Sequence, residues 1–90
     1  MKSQWYVYLV RCSDNTLYGG ITTDLKRRLS EHNTCNTRGA KYTRVRRPVS
    51  VVYSEKCDDR SHASKREYAI KKSPKNKKER LVVEFGSVEK

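Results

Sequence analysis

The sequence predicts a small mixed α/β domain in which helices cover a three-stranded sheet. Three observations predict it. Residues 4–11 and 16–21 alternate in strand fashion around the turn signal Ser13-Asp14-Asn15, which makes them a hairpin. Residues 24–33 instead repeat with a helical period. Val49 to Ser54 then returns to a β-rich pattern before two further helical segments. The order is strand, strand, helix, strand, helix, helix, which layers around a single core.

Each element has a local reason. In the first strand Trp5, Val7 and Leu9 share one face, and Tyr6, Tyr8 and Val10 share the other. Gly19-Gly20 is poor strand material and implies that something approaches that backbone closely. Thr22 to Asp24 caps the first helix, with the Asp24 carboxylate at its positive end. Residues 34–39 read as a polar loop, Ala40 to Arg44 as one helical turn, and Arg46-Arg47-Pro48 as its end. A long helix starts between Asp58 and Ser61 and runs to Lys72. Ser73-Pro74 reads as an N-cap followed by proline at the first helical position, which starts a last helix ending near Val83. The chain after Glu84 is expected to fray. One domain over residues 1–90, with its core in 4–83, suits this length.

The formal net charge is +11. A nucleic acid is the first partner to consider for such an excess; the bland alternative is a merely soluble basic protein. Cys12, Cys35 and Cys57 are far apart and form no C-x-x-C pair, which argues against a disulfide framework and a structural zinc site. Thiols of this kind suit a reducing, cytoplasmic setting. The N-terminus lacks an apolar signal region, and no segment has the roughly 18 apolar residues of a membrane span. A monomer with no small-molecule cofactor is expected.

Polar residues stand where a thin core needs apolar ones. At about 100° per residue, Leu25, Arg28, Leu29 and His32 fall within one-third of the first helix's circle. Either the arginine snorkels to the rim and a backbone carbonyl satisfies the histidine, or the pair belongs to a site. On the later long helix Ala63, Glu67 and Ile70 share a face, with Arg66 and Lys71 at its edges. A carboxylate there needs a cation or strong donors. A salt bridge to Lys71 or Arg28 would serve, and so would a divalent metal, for which one carboxylate plus waters is a sufficient anchor.

Six tyrosines accompany one phenylalanine, a ratio that points to wanted hydroxyls. Tyr8 and Tyr18, on neighbouring strands, can reach a common cleft, whereas Tyr6, Tyr42, Tyr53 and Tyr68 read as packing residues with a wet tip. Arg38, Lys41, Arg44, Arg46 and Arg47 crowd the connection after the first helix, and Lys71, Lys72, Lys75, Lys77, Lys78 and Arg80 crowd the C-terminal helices. Both clusters suit phosphate contacts, the second also a solvated face. Tyr42 among them can stack on an unpaired base.

Taken in order, Tyr6-Val7-Tyr8, Tyr18-Gly19-Gly20, Arg28 and Glu67 resemble the GIY-YIG endonuclease superfamily. Trp-Tyr-Val-Tyr-Leu-Val-Arg-Cys, Leu-Tyr-Gly-Gly-Ile-Thr, Arg-Arg-Leu-Ser-Glu-His-Asn, Gly-Ala-Lys-Tyr-Thr-Arg and Arg-Glu-Tyr-Ala-Ile-Lys-Lys resemble its small stand-alone bacterial branch, often called UPF0213 or YhbQ-like. The resemblance implies a three-stranded antiparallel sheet flanked by helices. It implies hydrolysis of a DNA phosphodiester, in repair or processing, with one Mg²⁺ or Mn²⁺ held by Glu67. It implies catalytic places for Tyr8, Tyr18, Arg28, His32 and Glu67. Nucleic-acid contacts are expected from Arg38, Lys41, Tyr42, Arg44, Arg46, Arg47, Lys71 and Lys72. Tyr8, relayed by His32, would take a proton from water, and Tyr18 would position the water or the phosphate.

The sequence departs from the family pattern at three places. Tyr6 and Val7 replace the first Gly and Ile, and Gly19 replaces an aliphatic residue. Ile21 and Thr22 stand where some relatives carry a basic group. That last change leaves one fewer cation for the phosphate and favours a second reading, a nucleic-acid-binding module that does not cut. The nearest match to the family's late asparagine is Asn76.

Overall fold

A computed structural model describes residues 4–35 and 41–89, with Lys41, Tyr42 and residues 87–89 described through the backbone. The strands are β1 (Trp5–Arg11), β2 (Leu17–Thr22) and β3 (Ser50–Cys57); the helices are α1 (Leu25–Thr34), α2 (Lys41–Arg44), α3 (Arg60–Lys72) and α4 (Lys75–Glu89). The sheet is antiparallel in the order β2-β1-β3.

Because β1 lies in the middle, it is covered on both faces. Val7 and Leu9 form one core with Cys57, Ala63 and Ile70, beneath α3 and α4. Tyr8 and Val10 form the other with Cys12 and Val49, against which Leu25 and Leu29 of α1 pack. The alternation read in the sequence therefore assigns the two faces correctly. The β1–β2 turn closes with Cys12 N–H on the Thr16 carbonyl at 2.8 Å, and Asn15 adopts φ 69°, a conformation asparagine tolerates.

The first helix and the long helix after β3 start where the sequence places them. Asp24 accepts from the Arg27 N–H at 3.0 Å and Asp59 from the His62 N–H at 2.8 Å. The expected single turn at 40–44 is α2.

Two elements run further than expected. β3 continues through Glu55, Lys56 and Cys57, which pair with Val7, Tyr6 and Trp5. The Glu55 carboxylate is satisfied there by the Tyr53 hydroxyl at 2.5 Å and by Arg66 Nε at 3.0 Å. The end expected for the last helix near Val83 is also too early: α4 runs to Glu89. The Phe85 ring meets Tyr53 edge-on at 5.6 Å and anchors that later turn to β3. At its other end Ser73 closes α3 rather than opening α4, its N–H reaching the Ile70 carbonyl, and α4 begins after Pro74. Arg11 of β1 grips Glu79 of α4 through two bonds of 2.6 Å.

Candidate active site

One group of polar side chains lies between β1, α1 and α2. Tyr8 and His32 are 2% and 0% exposed. The Tyr8 hydroxyl is 2.9 Å from His32 Nε2, and His32 Nδ1 is 2.9 Å from the Thr43 hydroxyl, itself fully buried. Arg28 donates to Glu31 at 3.1 Å, and its charge acts on the Tyr8 phenol. The Tyr18 ring stands edge-on to His32 at 5.7 Å. The sequence allowed a backbone carbonyl as the partner of His32; its ring nitrogens instead meet two side-chain hydroxyls. Among the described residues no fully buried side-chain polar atom lacks a hydrogen-bond partner.

Gly20 explains how a tyrosine fits there. It lies opposite Tyr8 in the sheet register, and a Cβ built on it would fall 2.5 Å from the Tyr8 hydroxyl oxygen and 2.8 Å from Cζ. The phenol therefore lies across bare backbone. At Gly19 the nearest atom to such a Cβ is Leu9 Cδ2, at 3.3 Å.

Burial dominates the electrostatics of this group. It pushes the Tyr8 phenol above its ordinary 10, outweighing the hydrogen bond and charge of Arg28, while Tyr18 and Glu67 push the same way. Burial also lowers His32 from 6.5 to about 4, helped by the charges of Arg28 and Arg47 and opposed by Glu31. At neutral pH the resting pair is a neutral phenol beside a neutral imidazole.

A second group lines an open cleft of about 460 Å³, walled by Leu9, Leu17, Tyr18, Gly19, Glu67, Ile70, Lys71 and Lys78. α3 places Glu67 there because Ala63 and Ile70, on the same stripe, are buried in the core. Glu67 is half-buried and makes no ion pair within 4.0 Å among the described residues; Arg66 pairs with Glu55 instead. The salt bridge to Lys71 or Arg28 that the sequence allowed is thus not formed.

Tyr18 belongs to both groups, since it lines the cleft and touches His32. The relay lies on the α1 face of the sheet and Glu67 on the α3 face. They meet at β2, the edge strand, where Gly19 contributes only backbone to the cleft wall. Tyr8, Arg28 and His32 do not line the cleft themselves. Among the described residues no three His, Cys, Asp or Glu side chains cluster as metal ligands. A cation at this site would therefore rest on a single carboxylate, which is chemistry that Mg²⁺ accepts when waters and phosphate complete its shell.

The expected nucleic-acid residues divide. Lys71 lines the cleft, joined by Lys78. Arg44 is exposed on α2. Lys72 lies over the exposed Tyr68 ring, 4.8 Å from its centroid. Arg46 and Arg47 have structural partners: Arg46 Nε donates to Asp14 at 3.0 Å, and Arg47 donates to the His32 and Cys35 carbonyls at 2.6 and 3.1 Å. Arg38 and the side chains of Lys41 and Tyr42 lie outside the described residues. Asn76 is exposed at the start of α4 and is not part of the cleft wall. The sequence reading missed Thr43; its only signal was a small polar residue beside basic ones, and its partner lies on another helix.

Residues 4–80 match the family model of the GIY-YIG catalytic domain. A UPF0213 protein of Desulfotalea psychrophila is 59% identical over 90% of this chain and 73% of its own length. A UPF0213 protein of Staphylococcus aureus is 49% identical over 88% of this chain and 94% of its own. Two solution structures share the fold. A protein from E. faecalis is 45% identical with a TM-score of 0.63, covering 94% of this chain and 88% of its own. A UPF0213 protein from Bacillus halodurans is 39% identical with a TM-score of 0.56, covering 89% and 83%.

Proposed function

We propose, from the premise that this chain belongs to the GIY-YIG catalytic-domain family, that it is a divalent-metal-dependent endonuclease acting on DNA. The family acts on nucleic acids, and the +11 charge suits a polyanion. The observation that carries the proposal is the cleft itself. It offers a half-buried carboxylate with no ion-pair partner among the described residues, two lysines, and a tyrosine in contact with the buried relay.

In this reading Lys71 and Lys78 draw the phosphate into the cleft, and Arg28 presents a forked cation toward charge that develops on it. Tyr18 aligns the phosphate and the attacking water. Tyr8 takes the water's proton as its own passes to His32 Nε2. Glu67 would hold the cation, which would supply positive charge at the reacting phosphate. Resting Tyr8 and His32 are poorly set for proton uptake, and an anionic phosphate beside Arg28 corrects this, because negative charge favours the imidazolium.

A specific observation favours a second reading, binding without cutting. Ile21 packs against the core and the Thr22 hydroxyl accepts from the Asp24 N–H at 3.0 Å, so neither position brings a cation. One experiment separates the readings: incubation with branched, flapped and single-stranded DNA in Mg²⁺ or Mn²⁺. The nuclease reading expects metal-dependent cutting that Glu67→Ala lowers at least a hundredfold. Cutting that persists unchanged in Glu67→Ala removes the site assignment, and salt-sensitive binding without cutting selects the second reading.

A further inference from the structure

Two distances and one neighbouring charge bear on where the proton on His32 sits. Tyr8 Oη is 2.9 Å from Nε2, and the Thr43 hydroxyl is 2.9 Å from Nδ1. Distance alone leaves both tautomers open. The positive charge of Arg28 acts on the Tyr8 phenol. A cation there favours a phenol that turns its lone pairs toward the guanidinium and its O–H toward His32, with Nε2 as the acceptor. A neutral imidazole carries one proton, which leaves it on Nδ1, pointing at Thr43.

We propose that Thr43 is a positioning residue of the relay: its hydroxyl accepts the Nδ1 proton of His32 and so fixes the tautomer whose bare Nε2 faces Tyr8. His32 and Thr43 are both 0% exposed, so no bulk water substitutes for the hydroxyl. Tyr8 of β1 and Tyr18 of β2 meet the ring edge-on, and the charges of Arg28, Glu31 and Arg47 act on it; Arg47 Nε also donates to the His32 carbonyl. Among these contacts to the ring nitrogens, only Thr43 meets Nδ1. The low pKa of His32, about 4, keeps the ring neutral at pH 7, where one tautomer has to be chosen. The proposal gives α2, a helix of 4 residues, a purpose: it carries the hydroxyl that orients a base on α1.

The proposal rests on reading Tyr8 and His32 as a proton relay, yet the tautomer it names exists whether or not the chain cuts DNA. The test is long-range ¹⁵N–¹H correlation of the histidine rings at pH 7 in the full chain. The exposed His62 serves as the internal reference. The wild type is expected to show His32 protonated on Nδ1. Thr43→Val, which keeps the shape and removes the oxygen, is expected to shift the proton toward Nε2, and Thr43→Ser to restore Nδ1. In a cleavage assay Thr43→Val should lower turnover roughly a hundredfold with DNA affinity unchanged, and Thr43→Ser should recover it. A wild-type ring protonated on Nε2 overturns the proposal even if Thr43→Val fails to fold, and so does a Thr43→Val ring with the wild-type tautomer. Absence of cutting with the expected tautomers leaves the proposal standing and counts against the nuclease reading alone.

Discussion

A Cβ at Gly20 would fall 2.5 Å from the Tyr8 hydroxyl oxygen and one at Gly19 no nearer than 3.3 Å to any atom, so the two glycines of β2 are unequal. A methyl group at Gly20 collides with a phenol that is buried and hydrogen-bonded at its tip, so the ring cannot swing away cheaply. At Gly19 it meets the end of the flexible Leu9 side chain at 3.3 Å and the Tyr8 carbonyl oxygen at an ordinary 3.5 Å. Gly20→Ala is expected to cost about 1–3 kcal/mol in chemical denaturation and to abolish cutting, whereas Gly19→Ala costs under about 1 kcal/mol. The glycine pair announced a close approach in the sequence. What approaches was not legible, because Tyr8 reaches Gly20 through a cross-strand register that the sequence does not print.

His32 makes a second prediction at this scale. Its folded pKa, about 4, lies below its ordinary 6.5. Below pH 6.5 the unfolded chain therefore binds a proton that the folded chain refuses. Stability from this group is fully present above pH 6.5 and is lost as pH falls toward 4, by up to roughly 3 kcal/mol. His32→Gln should flatten that part of a stability-versus-pH curve. An unchanged slope between pH 6.5 and 4 would show that the ring is not held neutral by burial.

Helices set which basic residues can serve nucleic acid. The wheel of α1 placed Leu25, Arg28, Leu29 and His32 together, and the structure keeps them so, because period alone decides the face of a capped helix. The basic run after α1 was less legible. Charge in a sequence does not say whether a guanidinium meets solvent or a carbonyl, and here the chain folds Arg47 back onto the C-terminal carbonyls of α1. Arg44→Ala is expected to reduce the salt slope of DNA binding by about 1 with little change in stability. Arg47→Met should do the opposite, costing about 1–3 kcal/mol in thermal or chemical unfolding while leaving the slope near wild type. Reversal of that pattern would exchange their assigned duties. The length of α4 escaped the sequence for a similar reason: Phe85 has its anchor on β3, far along the chain.

At the scale of the molecule, the sheet is a partition, and β2 is one of its two edges. Tyr8, His32 and Thr43 sit on the α1 side and the Glu67 carboxylate on the α3 side, and Tyr18 of the edge strand β2 touches both groups. In the proposed reading this arrangement is how residues separated by much of the chain, from Tyr8 to Glu67, would act on one phosphate. It also explains why a lone Glu on an apolar stripe is tolerated, since the cleft admits water to it. Among the described residues no helix is long and apolar enough to cross a membrane. The order of elements and the two buried faces were readable from periodicity. That Tyr18 and Glu67 share one cleft at β2 was readable only through the family resemblance, because no local pattern records which edge a later helix will cover.

The convergence is tested most directly by titrating Mn²⁺ into isotope-labelled protein and following paramagnetic broadening, without any substrate. A cation seated on Glu67 is expected to broaden Tyr18 first and Tyr8 and His32 with it, while signals from Asp58 and Asp59 stay sharp, and Glu67→Gln should remove the effect. Broadening that centres on Asp58 and Asp59, or that survives in Glu67→Gln, would contradict a shared site at the β2 edge.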